Sequence, residues 1–329
     1  MTTSLKRRIA LISGLAAALA LTACATDPET TEPGTTGDDT VQVEDNHGTK
    51  TVPANPTSVV ATDNRSFETL EQWEIELSAA PVRLMSGELA YKTDESIVDL
   101  GTHNEPNLEA IVAAEPDVVI NGNRFAQYYG DIESLVPDAT MIELDPRDGE
   151  PFDAELRRQT EVLGEVFGKQ DEAEQLVADF DASIERVEAA YNGDQKVMAV
   201  ITSGGEINYA APGSGRTLGP VFEILGLTPA LEVEGSTDHQ GDDISVEAIA
   251  QSNPDWILVM DRDAAVSANN GEEYTPANAL LANSEALQNV TAVQQEQIVY
   301  MPADTYINES IQTYTEFFNS LADAMEQAN

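Results

Sequence analysis

Cysteine is almost absent: Cys24 is the only one in 329 residues, which excludes intramolecular disulfides and thiolate metal sites. Basic residues are nearly as scarce. Sixteen Lys and Arg face 59 Asp and Glu, for a formal net charge of −43. A surface of that sign repels nucleic acid and anionic lipid, so neither is expected as a partner. The three histidines lie far apart in the chain and make a poor zinc centre. No Gly-x-Ser-x-Gly elbow and no P-loop lysine occur, and Gly213, Gly215 and Gly219 do not form a dinucleotide fingerprint. Carboxylates are so abundant that no pair stands out as an acid and a base. A secreted α/β enzyme therefore has little in the sequence to support it.

The N-terminus is better defined. Lys6, Arg7 and Arg8 precede an apolar run from Ile9 to Leu21, the pattern of a secretory signal over residues 1–23. A membrane-spanning helix needs roughly 20 apolar residues, so the run is too short to cross comfortably. Leu21-Thr22-Ala23-Cys24 resembles a bacterial lipobox, which implies that Cys24 is lipidated and becomes the mature N-terminus. Up to residue 40 the chain then holds Thr, Asp, Glu, Pro and Gly with no large apolar side chain. Such a segment cannot bury enough surface to offset its ordering entropy, so 24–40 reads as a disordered tether.

Beyond the tether, the length favours two domains. Short apolar strands alternate with helices, which predicts α/β lobes with mainly parallel sheets. Strands are expected near 41–43, 49–52, 58–61, 82–84, 117–121 and 140–144, then at 196–202, 256–259 and 297–301. Asp63-Asn64 is read as the cap of a helix running through Trp73 and Leu77, with further helices at 107–114, 128–136, 218–225 and 311–325. The longest helical tract, 153–191, is broken at Gly168, leaving a connecting helix over 169–192 that separates a lobe at 41–168 from one at 193–329.

One stretch occurs twice. Asn107-Leu-Glu-Ala-Ile, a Pro116-Asp117 turn, an apolar strand and Arg124 are echoed by Ser245-Val-Glu-Ala-Ile, Pro254-Asp255, an apolar strand and Arg262. In open α/β sheets ligands bind beyond the carboxyl ends of the strands, so both arginines should overhang one crevice. Arg216, in the Gly-rich loop 211–216, is placed to join them, and Arg65 is a weaker candidate beside a helix start. Convergent guanidinium groups suit an anionic, oxygen-rich ligand. For any one arginine, pairing with a nearby acid is an equally good reading, and it is adopted for Arg157, Arg158 and Arg186. His239 lies in a polar loop and Tyr306 just past a strand end; taken alone, the first reads as a solvated residue and the second as a packing one. His47 and His103 are read as solvated or capping residues.

Gly48-Thr49, Val52-Pro53, Asn55-Pro56, Glu105-Pro106-Asn107-Leu108-Glu109, Pro212-Gly213-Ser214-Gly215-Arg216, Ser236-Thr237-Asp238-His239 and Asp261-Arg262 carry a resemblance. From about Val41 onward the chain resembles the solute-binding lipoproteins of iron–siderophore ABC importers, in the branch that takes catecholates. The resemblance implies two Rossmann-like lobes joined by a long backbone helix, with the ligand in the cleft between them. It further implies that Arg124, Arg216 and Arg262 hold a ferric catecholate, and that His239 and Tyr306 ligate iron when a tetradentate siderophore leaves positions open. Fe(III) would then arrive within the cargo, with no intrinsic cofactor. A monomer, anchored by lipid on the extracellular face of the cell membrane, would deliver that cargo to an ABC permease dimer. Haem, cobalamin or a hydroxamate siderophore remains as alternative cargo.

Overall fold

Two parallel sheets organise residues 40–328, the part of the chain that the computed structural model describes. The expected signal peptide, Cys24 and all of the tether but Thr40 lie outside the described residues. The first sheet runs Val98–Asp99, Ala79–Ala80, Val59–Ala61, Val118–Asn121, Thr140–Glu143, with every pairing parallel. The second is centred on Lys196–Ser203 and Trp256–Asp261, which pair in parallel, with Ile298–Tyr300 outside them. Its other edge holds an antiparallel strand, Glu206–Tyr209, that the sequence pattern did not suggest.

The burial pattern explains why these runs are strands. Each sheet alternates its side chains between two cores, as period-two geometry requires. Val59, Ala61, Val118 and Ile120 face one core, while Val60, Val119 and Met141 face a separate outer one. In the second sheet Val197, Ala199, Leu258 and Met260 join the same inner core, and Met198, Val200, Ile257 and Val259 face their own. The inner core is thus shared by both sheets.

The helices that complete that core are Phe152–Phe167, Gln170–Ala190 and Ile311–Ala328. Gly168, left-handed at φ 64°, ends the first of them. The second has 21 residues, roughly 30 Å at 1.5 Å per residue. Phe180 on it stacks with Phe318 of the C-terminal helix at 5.8 Å. Arg157, Arg158 and Arg186 all pair with carboxylates on these helices.

The repeated stretch has a clear structural role. Asn107 and Ser245 each cap the helix that follows by accepting a backbone N–H three residues on. Asp117 accepts from the backbone N–H groups of Thr57 and Ser58, and Asp255 from that of Lys196. Each Pro-Asp turn therefore stitches the start of its strand to the start of the parallel neighbour.

Two local expectations are corrected and one is extended. Residues 82–84 form a 3₁₀ turn, and the strand is Ala79–Ala80, whose small side chains are fully buried. Asp63 and Asn64 are buried and do not cap the helix Phe67–Gln72; Asp63 instead accepts from the Arg65 backbone N–H. His47 is exposed, as expected, and its ring also stacks on Tyr129 at 4.0 Å and reaches Glu143 at 3.2 Å.

Candidate functional site

Both repeated arginines leave the carboxyl ends of buried parallel strands. Arg124 lies in the 3₁₀ segment Asn123–Tyr128 after Val118–Asn121, and Arg262 opens the helix Arg262–Val266 after Trp256–Asp261. Arg216 arrives by a different route. Its loop follows the unexpected antiparallel strand and folds back on itself through Gly215 N–H to the Ala211 carbonyl and Gly213 N–H to the Gly219 carbonyl. A Cβ on Gly219 would sit 2.3 Å from the Gly215 carbonyl oxygen, so only glycine permits that turn.

The three guanidinium groups converge on one ring. Their central carbons lie 5.4 Å (Arg124), 4.8 Å (Arg216) and 4.8 Å (Arg262) from the centroid of Tyr306. Cation–π attraction to the phenol ring offsets part of their mutual repulsion. Arg124 also donates to the Tyr306 carbonyl at 3.3 Å, and Arg262 to the Ser203 hydroxyl at 3.3 Å. These groups line a cavity of about 480 Å³, together with His103 and His239. Among the described residues, no Asp or Glu lines it. In a chain with 59 acidic residues, that local exclusion of negative charge is the main electrostatic fact of the site.

The donors are left waiting. Nη1 of Arg124 and Nε of both Arg216 and Arg262 are buried without a hydrogen-bond partner among the described residues. Burial, and then the charge of Arg216, depress the Arg124 pKa, with Tyr306 opposing the shift. An anion with several oxygens would satisfy these donors and relieve the repulsion together.

Behind the cavity a buried ionic chain holds the arginines in place. Glu309, 4% exposed, takes Arg65 at 3.2 Å and Arg216 at 3.5 Å, and accepts from the Thr217 hydroxyl. Burial raises its pKa, but Arg216 and Arg65 outweigh that and hold it below the ordinary carboxylate value. Arg65 continues the chain to Asp145 at 3.2 Å, and Asp145 accepts from the Asn123 N–H at 2.8 Å, beside Arg124. Arg65 therefore lies outside the cavity, neutralised by two carboxylates, unlike Arg124, Arg216, Arg262, His239 and Tyr306, which the fold brings together. His239 is exposed on its loop, whereas the Tyr306 residue is only 9% exposed. Glu309 and His103 were missed from sequence, because their importance depends on neighbours remote in the chain.

Asp63 gives this chain a pH signature. Burial, and then the neighbouring Asp145 carboxylate, push it up to about 7 from an ordinary 3.8. Between those values the folded protein holds a proton that the unfolded chain has lost, so this group's contribution falls as pH rises from about 4 to about 7. Asp63→Asn removes the titration and should gain stability relative to the unsubstituted protein between about pH 5 and about pH 8. Urea midpoints at the two pH values check this; an unchanged difference would contradict it.

Comparison with known proteins is consistent with this architecture. Residues 59–305 match the family described as periplasmic binding protein. The petrobactin-binding protein YclQ of Bacillus subtilis is 24% identical over 98% of this chain and 100% of its own length. The ferric-anguibactin-binding protein FatB of Vibrio anguillarum is 28% identical over 81% of each chain. Among solved structures, the periplasmic catecholate-siderophore binding protein VctP of Vibrio cholerae superposes with a TM-score of 0.74 at 22% identity, covering 88% of this chain and all of VctP.

Proposed function

Because the chain belongs to the periplasmic binding protein family, we propose that it is a receptor, not an enzyme, that binds a ferric siderophore of the catecholate class and delivers it to an ABC importer. The observation that carries this reading is the cavity ringed by Arg124, Arg216 and Arg262, with unpartnered buried N–H groups and no carboxylate among its lining residues. A ferric catecholate is anionic and presents its charge on oxygens, which is what those donors need. The similarity to the petrobactin-binding protein YclQ and the ferric-anguibactin-binding protein FatB supports a ferric chelate as the cargo.

In this reading the iron arrives inside the cargo. The guanidinium groups bind catecholate oxygens, and Tyr306 spaces the cations while the cavity is empty. A tetradentate siderophore leaves two iron positions, which His239 and Tyr306 would fill with an imidazole and a phenol. The receptor works as a monomer, tied to the outer face of the cell membrane through lipid on Cys24 and the tether 24–40, and docks on a permease dimer. The lobes at 41–168 and 193–329, joined over 169–192, close only slightly, since both sheets share the inner core and moving them apart would expose it.

Trp73 and Trp256 are both buried and provide an intrinsic fluorescence signal. Titration with iron(III) and 2,3-dihydroxybenzoate should quench it saturably. Indifference to ferric catecholates, alongside binding of a neutral ferric hydroxamate or of cobalamin, would overturn the catecholate assignment. Haem is tested in the same series.

A further inference from the structure

His103 is one of three histidines in the chain, and the structure puts it at the cavity wall beside Arg124. Its position is built with some care. Gly101–Thr102 and Glu105–Pro106 pair antiparallel, so His103 and Asn104 form the two-residue tip of a hairpin. Gly101 has φ +76°, and a Cβ there would lie 2.6 Å from the Glu105 carbonyl oxygen, so the tip geometry depends on glycine. The hydroxyl of Tyr128 donates to the His103 carbonyl at 2.6 Å. Tyr128 belongs to the same 3₁₀ segment as Arg124, so the hairpin tip and Arg124 are held as one unit.

The ring itself is unfinished. Nδ1 is buried and has no hydrogen-bond partner among the described residues. Burial, and then the Arg124 charge, lower the pKa of the imidazole, which keeps it neutral at neutral pH. A buried N–H with no acceptor is costly, and the Arg124 charge favours an unprotonated nitrogen, so the ring proton is assigned to Nε2.

We infer that His103 is a cargo-contacting residue, its neutral imidazole donating through Nε2 to an anionic oxygen of the bound chelate from the wall that also carries Arg124. The contact adds a directional donor without adding a fourth positive charge to the arginine cluster. It rests on the proposed anionic cargo, and it sets preference among such cargoes: a chelate with an oxygen on the His103 side is favoured over one without.

The test uses the full chain and iron(III) with 2,3-dihydroxybenzoate, read by fluorescence. His103→Ala should weaken binding by about 10-fold, the worth of one hydrogen bond to a charged group. His103→Gln, which keeps an N–H near Nε2, should stay within about 3-fold of the unsubstituted protein on the same scale. Tyr128→Phe should weaken binding more when His103 is present than in the His103→Ala background, because the Tyr128 hydroxyl holds the hairpin tip that carries the ring. Full affinity in His103→Ala, or an equal loss in His103→Gln, overturns the inference. Arg124→Ala separates the premises: if it loses affinity while His103→Ala does not, only the His103 contact fails, and if neither loses affinity, the cargo assignment fails with it.

Discussion

Replacing Arg124 and Arg262 together with alanine is expected to weaken binding of a ferric catecholate by at least about 100-fold. Each hydrogen bond to a charged group is worth about 1.5–3 kcal/mol, and two of them together span about 10²- to 10⁴-fold in affinity. The fold itself should tolerate the change. Arg124 and Arg262 each carry a buried N–H with no partner among the described residues, and both sit within a cluster of like charge around Tyr306. Removing them relieves repulsion, so thermal stability without ligand should hold or rise. Arg83→Ala is the comparison within the same cavity, since that side chain lines its rim, is 69% exposed and is already paired with Asp99 at 2.7 Å. Retention of full affinity in the double variant would refute the anionic-cargo reading, whereas a loss of affinity in Arg83→Ala alone would move the site toward the rim.

Glu309→Gln should produce the largest loss of stability of any conservative substitution near the site. The change keeps the shape and one acceptor for the Thr217 hydroxyl, but strips the charge that Arg65 and Arg216 share. Breaking a buried ion pair from one side costs about 3–5 kcal/mol, because the remaining charge is stranded. The pH dependence identifies the cause. Glu309 sits below its ordinary value of 4.5, so its contribution is fully present above that value and is lost as pH falls through the lower folded value. The deficit of Glu309→Gln, measured as the shift in urea midpoint, should be largest at neutral pH and shrink in acid below about 4.5. A deficit that does not change with pH would mean the amide disturbs packing instead. Binding should suffer as well, because Arg216 would lose the partner that fixes its direction.

The legible part of the site was carried by a repeat. Asp117 and Asp255, Asn107 and Ser245, and the two arginines recur at equal spacing because each set serves one local device: a helix cap, a strand-to-strand stitch and a side chain at a strand end. Local devices use residues close in sequence, so spacing reveals them. Arg216 was legible only through its glycines, and the strand that delivers its loop, Glu206–Tyr209, was not seen because Gly204-Gly205 resembled any other loop. Asp63 and Asn64 were misread as a cap for the same kind of reason. Their short polar side chains satisfy the capping pattern, but tertiary contacts bury them: Gln159 donates to Asp63, while Asn64 donates to the Leu84 and Ile307 carbonyls.

Arg65 and Glu309 mark the boundary most clearly. From sequence, Arg65 was a weaker candidate beside a helix start, and Glu309 was one acid among 59. Only the fold brings residues 244 positions apart into a buried pair and sets Arg65 against two carboxylates. By itself the sequence determined the alternation of strands and helices, the two lobes and the arginines that leave their strands, since periodicity and turn chemistry act within about ten residues. The tertiary structure decided which charges face open space and which are cancelled. That choice depends on burial and on partners from distant parts of the chain, which no local pattern encodes.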